Sequence, residues 1–183
     1  KQLFLKNPAN CYRVPYLLEM FPNAKFVFTY RNPYKMYAST LKFYREVFEI
    51  YRLQNYRDEK MQQITLANYV EMIEKYNKAK QLIPADRWVD IQYEEFIKDP
   101  MTQLERIYTE LNLSGFEAAR AAFQAHVDAQ ADYVPNKHQL ADEIITRVNT
   151  HWDHIRVQFG YERLEPQVAK DEQTVKIAPE IRH

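Results

Sequence analysis

Glycine is nearly missing: Gly115 and Gly160 are the only two in 183 residues, against a usual share of about 7%. A glycine-rich phosphate loop needs several, so no such loop can lie within these residues. Cysteine is scarcer still. Cys11 stands alone, which excludes an internal disulfide and a cysteine-built zinc site and suits a reducing, cytoplasmic compartment. No run approaches the roughly 20 apolar residues that cross a bilayer, and no signal-peptide core opens the chain. Charge of neither sign prevails, with 25 basic and 25 acidic residues. Proteins that wrap nucleic acid carry a basic excess, so that class is disfavoured and any anion site must be local. What remains, 46% hydrophobic and 27% charged residues, is the composition of one folded domain. The first residue is Lys1 rather than Met, and the expectation is a piece of a longer protein.

Along the chain, Leu3-Phe4-Leu5 has the character of a strand end, and Pro15 can open a helix that runs to Phe21. Residues 25–30 are rich in β-formers without polar alternation, the pattern of a parallel strand covered on both faces. Asn32 and Pro33 follow as an N-cap and a first helical residue, so a helix should run from here towards Tyr51. Helices are expected over 64–82, 100–111, 116–131 and 140–159, the last closed by Gly160, with a strand over 88–93. Strands alternating with helices predict an α/β fold on a parallel sheet. Residues 1–162 are expected to form the domain portion and 163–183, which lack periodicity, a loose tail.

Ligands of open parallel sheets sit beyond the carboxyl ends of the strands. Arg31 occupies that end of the 25–30 strand, ahead of a capped helix. A guanidinium beside free backbone N–H groups suits a phosphate. Ser39, eight residues on, could add a hydroxyl. Two roles fit Arg31 at this level: it holds an anion, or it pairs with a carboxylate.

The order of motifs is more specific. Leu5-Lys6-Asn7-Pro8, then Phe21-Pro22-Asn23-Ala24-Lys25-Phe26-Val27, then Tyr30-Arg31-Asn32-Pro33 through Ser39 resembles the sulfotransferases that use 3′-phosphoadenosine 5′-phosphosulfate (PAPS). Asp90-Ile91-Gln92-Tyr93-Glu94-Glu95-Phe96 and Asp99-Pro100 follow in the family's order. The resemblance implies a P-loop-nucleotide-hydrolase-like sulfotransferase fold and sulfuryl transfer from PAPS to an acceptor hydroxyl or amine, without a metal. By position it makes Arg31 and Ser39 the grip on the donor's 3′-phosphate and Tyr93 a contact to adenine. Lys137, before the last helix, would be a cationic phosphate contact, and Lys6 would stabilise charge on the transferring group. The family's Arg-Lys-Gly signature is not present near Lys137.

Two departures bear on catalysis. The loop that holds the 5′-phosphosulfate in the family would lie upstream of Lys1. Where many members carry a histidine that takes the acceptor's proton, the matching residue here is Asn10, whose amide cannot act as a general base near neutral pH. A nucleotide-binding or scaffolding remnant and a P-loop kinase-like phosphotransferase therefore stand as alternatives, and a missing N-terminal segment leaves a lumenal location open. His151 and His154 are a turn apart with no third ligand at recognisable spacing, which reads as an ordinary helix rather than zinc. The acceptor is expected to be a small molecule or carbohydrate, and neither its identity nor the oligomeric state is written in these residues.

Overall fold

The computed structural model describes residues 3–51, 53, 57–132 and 140–167. Helix α1 (Val14–Met20) leads to strand β1 (Phe26–Tyr30), α2 (Pro33–Tyr51), α3 (Asp58–Leu82) and β2 (Trp88–Gln92). Then come α4 (Tyr93–Lys98), α5 (Pro100–Glu110), α6 (Phe116–Ala129), α7 (Asp142–His151) and α8 (Asp153–Gln158). The two strands pair in parallel, Phe26 opposite Trp88 through Tyr30 opposite Gln92. The expected α/β architecture on a parallel sheet is what forms.

Period-two alternation decides which residues reach which core. Phe26, Phe28, Tyr30 and Trp88 turn towards a cluster built with Tyr34, Tyr37, Leu66, Tyr69, Ile73, Tyr76, Val148, Trp152 and Ile155. That cluster joins β1 to α2, α3, α7 and α8, and Trp152 at its centre is fully buried, its indole N–H donating to the Leu66 carbonyl at 3.0 Å. On the other face, Val89 and Ile91 of β2 pack with Leu111, Phe96, Ile107 and Leu113. The corresponding residues of β1, Val27 and Thr29, are exposed. This corrects the expectation of a strand covered on both faces: α4 and α5 follow β2 and shield only its half of the sheet.

Several boundaries also move. Leu3-Phe4-Leu5 is irregular and exposed rather than a strand, because among the described residues no strand pairs with it. A 3-10 turn, Pro8–Tyr12, is capped by the Asn7 side chain. Helix α3 begins at Asp58 rather than 64, with Asp58 and Glu59 in its first turn, where acidic groups favour the dipole. The expected single helix over 140–159 is interrupted at Trp152, whose backbone (φ −120°, ψ 15°) leaves the helical region so that the indole can enter the core. The 163–167 stretch, the start of the expected tail, is held in place: the Leu164 N–H donates to the Tyr34 hydroxyl at 3.0 Å, Arg163 pairs with Asp153, and the Gln167 N–H donates to Asp142.

Candidate functional site

The register of the sheet creates the site. With Tyr30 opposite Gln92, the next residue of each strand, Arg31 and Tyr93, emerges side by side at the carboxyl end. The Arg31 guanidinium carbon lies over the Tyr93 ring, 4.8 Å from its centre, a cation–π contact. Tyr93 is the first residue of α4 rather than the last of a strand. Phe28, Thr29, Tyr30, Met36, Tyr69 and Met72 complete a cavity of about 110 Å³ around this pair. That is far below the ~300 Å³ at which ligand pockets usually begin, so the enclosed part suits one group of a ligand and not a whole nucleotide.

Arg31 keeps one donor unmet. Its Nε is buried and has no hydrogen-bond partner, and among the described residues no carboxylate forms an ion pair with it. The carboxylate-paired role is therefore not what the structure shows. Leaving a buried donor unmet costs about 1–3 kcal/mol, a cost that an arriving anion would cancel. Tyr69 is buried beside this cation; burial pushes its hydroxyl up from the ordinary phenol range, while the charge of Arg31 pulls it down. Its hydroxyl stays protonated and is a neutral neighbour for an anion.

The start of α2 contributes less than expected. Its backbone donors are already used: the Tyr34 and Lys35 N–H groups donate to the Asn32 side chain at 3.0 and 3.2 Å, and the Met36 N–H to the Asn32 carbonyl. The Asn32 N–H donates to Glu94 Oε1 at 2.9 Å. The free cluster of N–H groups expected beside Arg31 is thus absent, because Asn32 caps its own helix and Glu94 takes the donor that precedes it. An anion arriving here would have to be met by side chains.

The remaining candidates lie apart. Ser39 is half-buried at the end of the second turn of α2 and lines no cavity described here. Lys6 is exposed and, with Leu5, Asn10, Arg13, Tyr16 and Met20, borders a second, open cavity of about 610 Å³ that shares no residue with the first. Lys137 lies outside the described residues. His151 ends α7 and His154 belongs to α8; among the described residues no group of three metal-ligating side chains converges. None of the described helices is long and apolar enough to cross a membrane. Sequence reasoning missed Tyr69, Met36 and Met72 as lining residues, although Tyr69 stands four residues before Ile73 on the buried stripe of α3.

Comparison with known proteins agrees with this architecture. A model described as the sulfotransferase family matches residues 1–118. Two curated relatives, named omega-hydroxy-beta-dihydromenaquinone-9 sulfotransferase Stf3 and found in Mycobacterium bovis and Mycobacterium tuberculosis, are each 34% identical over 170 residues. The alignment takes in 93% of this chain and 44% of each relative, so the chain spans under half of their length. The crystal structure of sulfotransferase STF9 from Mycobacterium avium superimposes with a TM-score of 0.73 at 19% identity, over 89% of this chain and 43% of that one, a likeness of fold.

Proposed function

The chain belongs to the sulfotransferase family, and on that premise we propose that it supplies the nucleotide-recognising part of a PAPS-dependent sulfotransferase. The observation that carries the reading is the buried, unpartnered Nε of Arg31, held against Tyr93 at the carboxyl end of the sheet. A 3′-phosphate is a compact dianion that a guanidinium can grip with two parallel hydrogen bonds. The ring that orients Arg31 is also the candidate contact for adenine, so base and 3′-phosphate would meet adjacent residues. Ser39 and Lys137 are proposed as further contacts to phosphate.

The reaction proposed is in-line transfer: the acceptor oxygen attacks the sulfuryl sulfur, the bond from sulfur to the 5′-phosphate oxygen breaks, and the acceptor's proton passes to a general base. Cationic side chains, with Lys6 as the candidate here, would neutralise the developing charge without a metal. The larger cavity has apolar walls in Leu5, Tyr16, Leu17 and Met20, which favours a hydroxylated apolar acceptor. The Mycobacterium relatives carry an omega-hydroxy-menaquinone in their names, in keeping with that class. A cytoplasmic location is proposed from the lone free thiol of Cys11.

A second reading is favoured by one residue. Asn10 borders the larger cavity beside Lys6, where a side chain able to take a proton would be needed, so the chain could serve binding without turnover. Calorimetric titration of the intact protein with adenosine 3′,5′-bisphosphate and with ADP separates the classes. The bisphosphate should bind at least tenfold more tightly, about 1.4 kcal/mol. ADP binding of equal strength would replace the sulfotransferase reading with a kinase-like one, and turnover of PAPS would dismiss the binding-only reading.

A further inference from the structure

Glu94 is half-buried at the start of α4, next to Tyr93, and both of its oxygens are engaged. Oε1 accepts the Asn32 N–H at 2.9 Å, and Oε2 accepts the Tyr161 hydroxyl at 2.7 Å. No cation among the described residues forms an ion pair with it. Its two partners lie 62 and 67 residues away along the chain. One carboxylate therefore ties three segments together: the peptide that follows Arg31, the α4 start that carries Tyr93, and the stretch after α8.

The route by which Tyr161 arrives is built with equal care. Gly160 has φ +71°, a left-handed turn that side chains resist. The chain reverses there, with the Tyr161 N–H donating back to the Arg156 carbonyl at 3.0 Å. The Tyr161 ring then meets Tyr30 edge-on, 6.3 Å between centres, while Phe159 stacks on the same Tyr30 at 4.6 Å. Burial, followed by the neighbouring Glu94 carboxylate, pushes the Tyr161 hydroxyl up from the ordinary phenol range, so it remains a donor. The residue before Arg31 is thus clamped by rings and the residue after it by a carboxylate.

We infer that Glu94, held by Tyr161, is a positioning residue for anion recognition: it sets the Arg31–Asn32 peptide relative to Tyr93, and so the aim of the guanidinium. The inference rests on the proposed nucleotide site. Two opposing effects make it testable. A carboxylate near an anion site repels the anion, so if Glu94 acted through charge alone, its removal would strengthen binding and Gln and Ala would behave alike. If it acts through geometry, Gln, which keeps an oxygen to accept the Asn32 N–H, should behave almost as Glu does, and Ala should not.

The experiment is calorimetry on the intact protein with adenosine 3′,5′-bisphosphate and adenosine 5′-monophosphate, reading the ratio of the two affinities. Glu94→Ala should cut that ratio about tenfold, the scale of one lost charge-assisted hydrogen bond. Glu94→Gln should restore it to within about threefold of the unsubstituted protein, as expected when the acceptor remains. Tyr161→Phe, which keeps the contact with Tyr30 and removes only the hydroxyl, should lower the ratio by about threefold. It also carries the test should Glu94→Ala fail to fold. A ratio unchanged in Tyr161→Phe and Glu94→Ala, or Gln and Ala shifted equally, would overturn the positioning role while leaving the nucleotide reading intact. If the unsubstituted protein itself fails to prefer the 3′-phosphate, the nucleotide reading fails instead.

Discussion

The cavity around Arg31 and the cavity around Lys6 are made in opposite ways. Around Arg31 the parallel register, the Asn32 cap, the Tyr93 ring and the Glu94–Tyr161 tie fix the backbone from several sides. Around Lys6 the backbone is irregular up to a five-residue 3-10 turn, Leu3, Phe4 and Leu5 are exposed, and the one side-chain cap is Asn7. A guanidinium that grips a phosphate needs firmly held neighbours, and the contacts around Arg31 are of that kind. Residues 3–13 are tied less densely: Tyr12 donates its hydroxyl to the Asn68 carbonyl at 2.9 Å and Cys11 packs against the core, both beyond Lys6 in the chain. The difference favours the proposed nucleotide contact at Arg31 over the proposed transfer role of Lys6, which is exposed, as is Arg13 on the same cavity.

Three substitutions sharpen that contrast. The largest effect should come from Trp152→Ala, which empties the centre of the cluster behind Tyr69 and removes the indole N–H that donates to the Leu66 carbonyl. A loss of about 3–5 kcal/mol is expected, read as a fall in the denaturant midpoint. Asn32→Ala should come next. It removes the acceptor for the Tyr34 and Lys35 N–H groups, costing about 1 kcal/mol of stability. It should also lower the affinity for adenosine 3′,5′-bisphosphate about threefold by loosening the turn after Arg31. Lys6→Ala should do least to that affinity, within about twofold of the unsubstituted protein, because the two cavities share no residue. A large loss of nucleotide affinity in Lys6→Ala would break the division between the regions.

What could be foreseen from the sequence follows the same division. Residues 25–33 declare themselves locally: a run of β-formers, then Asn and Pro where a helix must start. Lys25 was the exception. It lies ahead of the strand, with its ammonium donating to the Leu111 and Asn112 carbonyls. The family's order of motifs placed Arg31 and Tyr93 in one site, and the register shows how they meet. Glu94 was legible only as one member of the motif over residues 90–96, because its partners lie more than sixty positions away and a hydrogen bond of that span leaves no local pattern. Leu3-Phe4-Leu5 misled for the complementary reason: three apolar residues look like a strand, but a strand needs a neighbour to pair with. Trp152 breaks a helix that periodicity carried straight through, since only packing against Tyr37, Tyr69 and Leu66 rewards the kink.

The central claim is that Arg31 reads the 3′-phosphate. Its most direct test is the affinity ratio of adenosine 3′,5′-bisphosphate over adenosine 5′-monophosphate, measured for the intact protein and for Arg31→Ala. The ratio should collapse about a hundredfold, the scale of roughly 3 kcal/mol for hydrogen bonds to a charged group. The melting temperature should hold or rise, since the substitution also removes a buried donor that no group among the described residues meets. A ratio that survives Arg31→Ala in a folded protein would contradict the account.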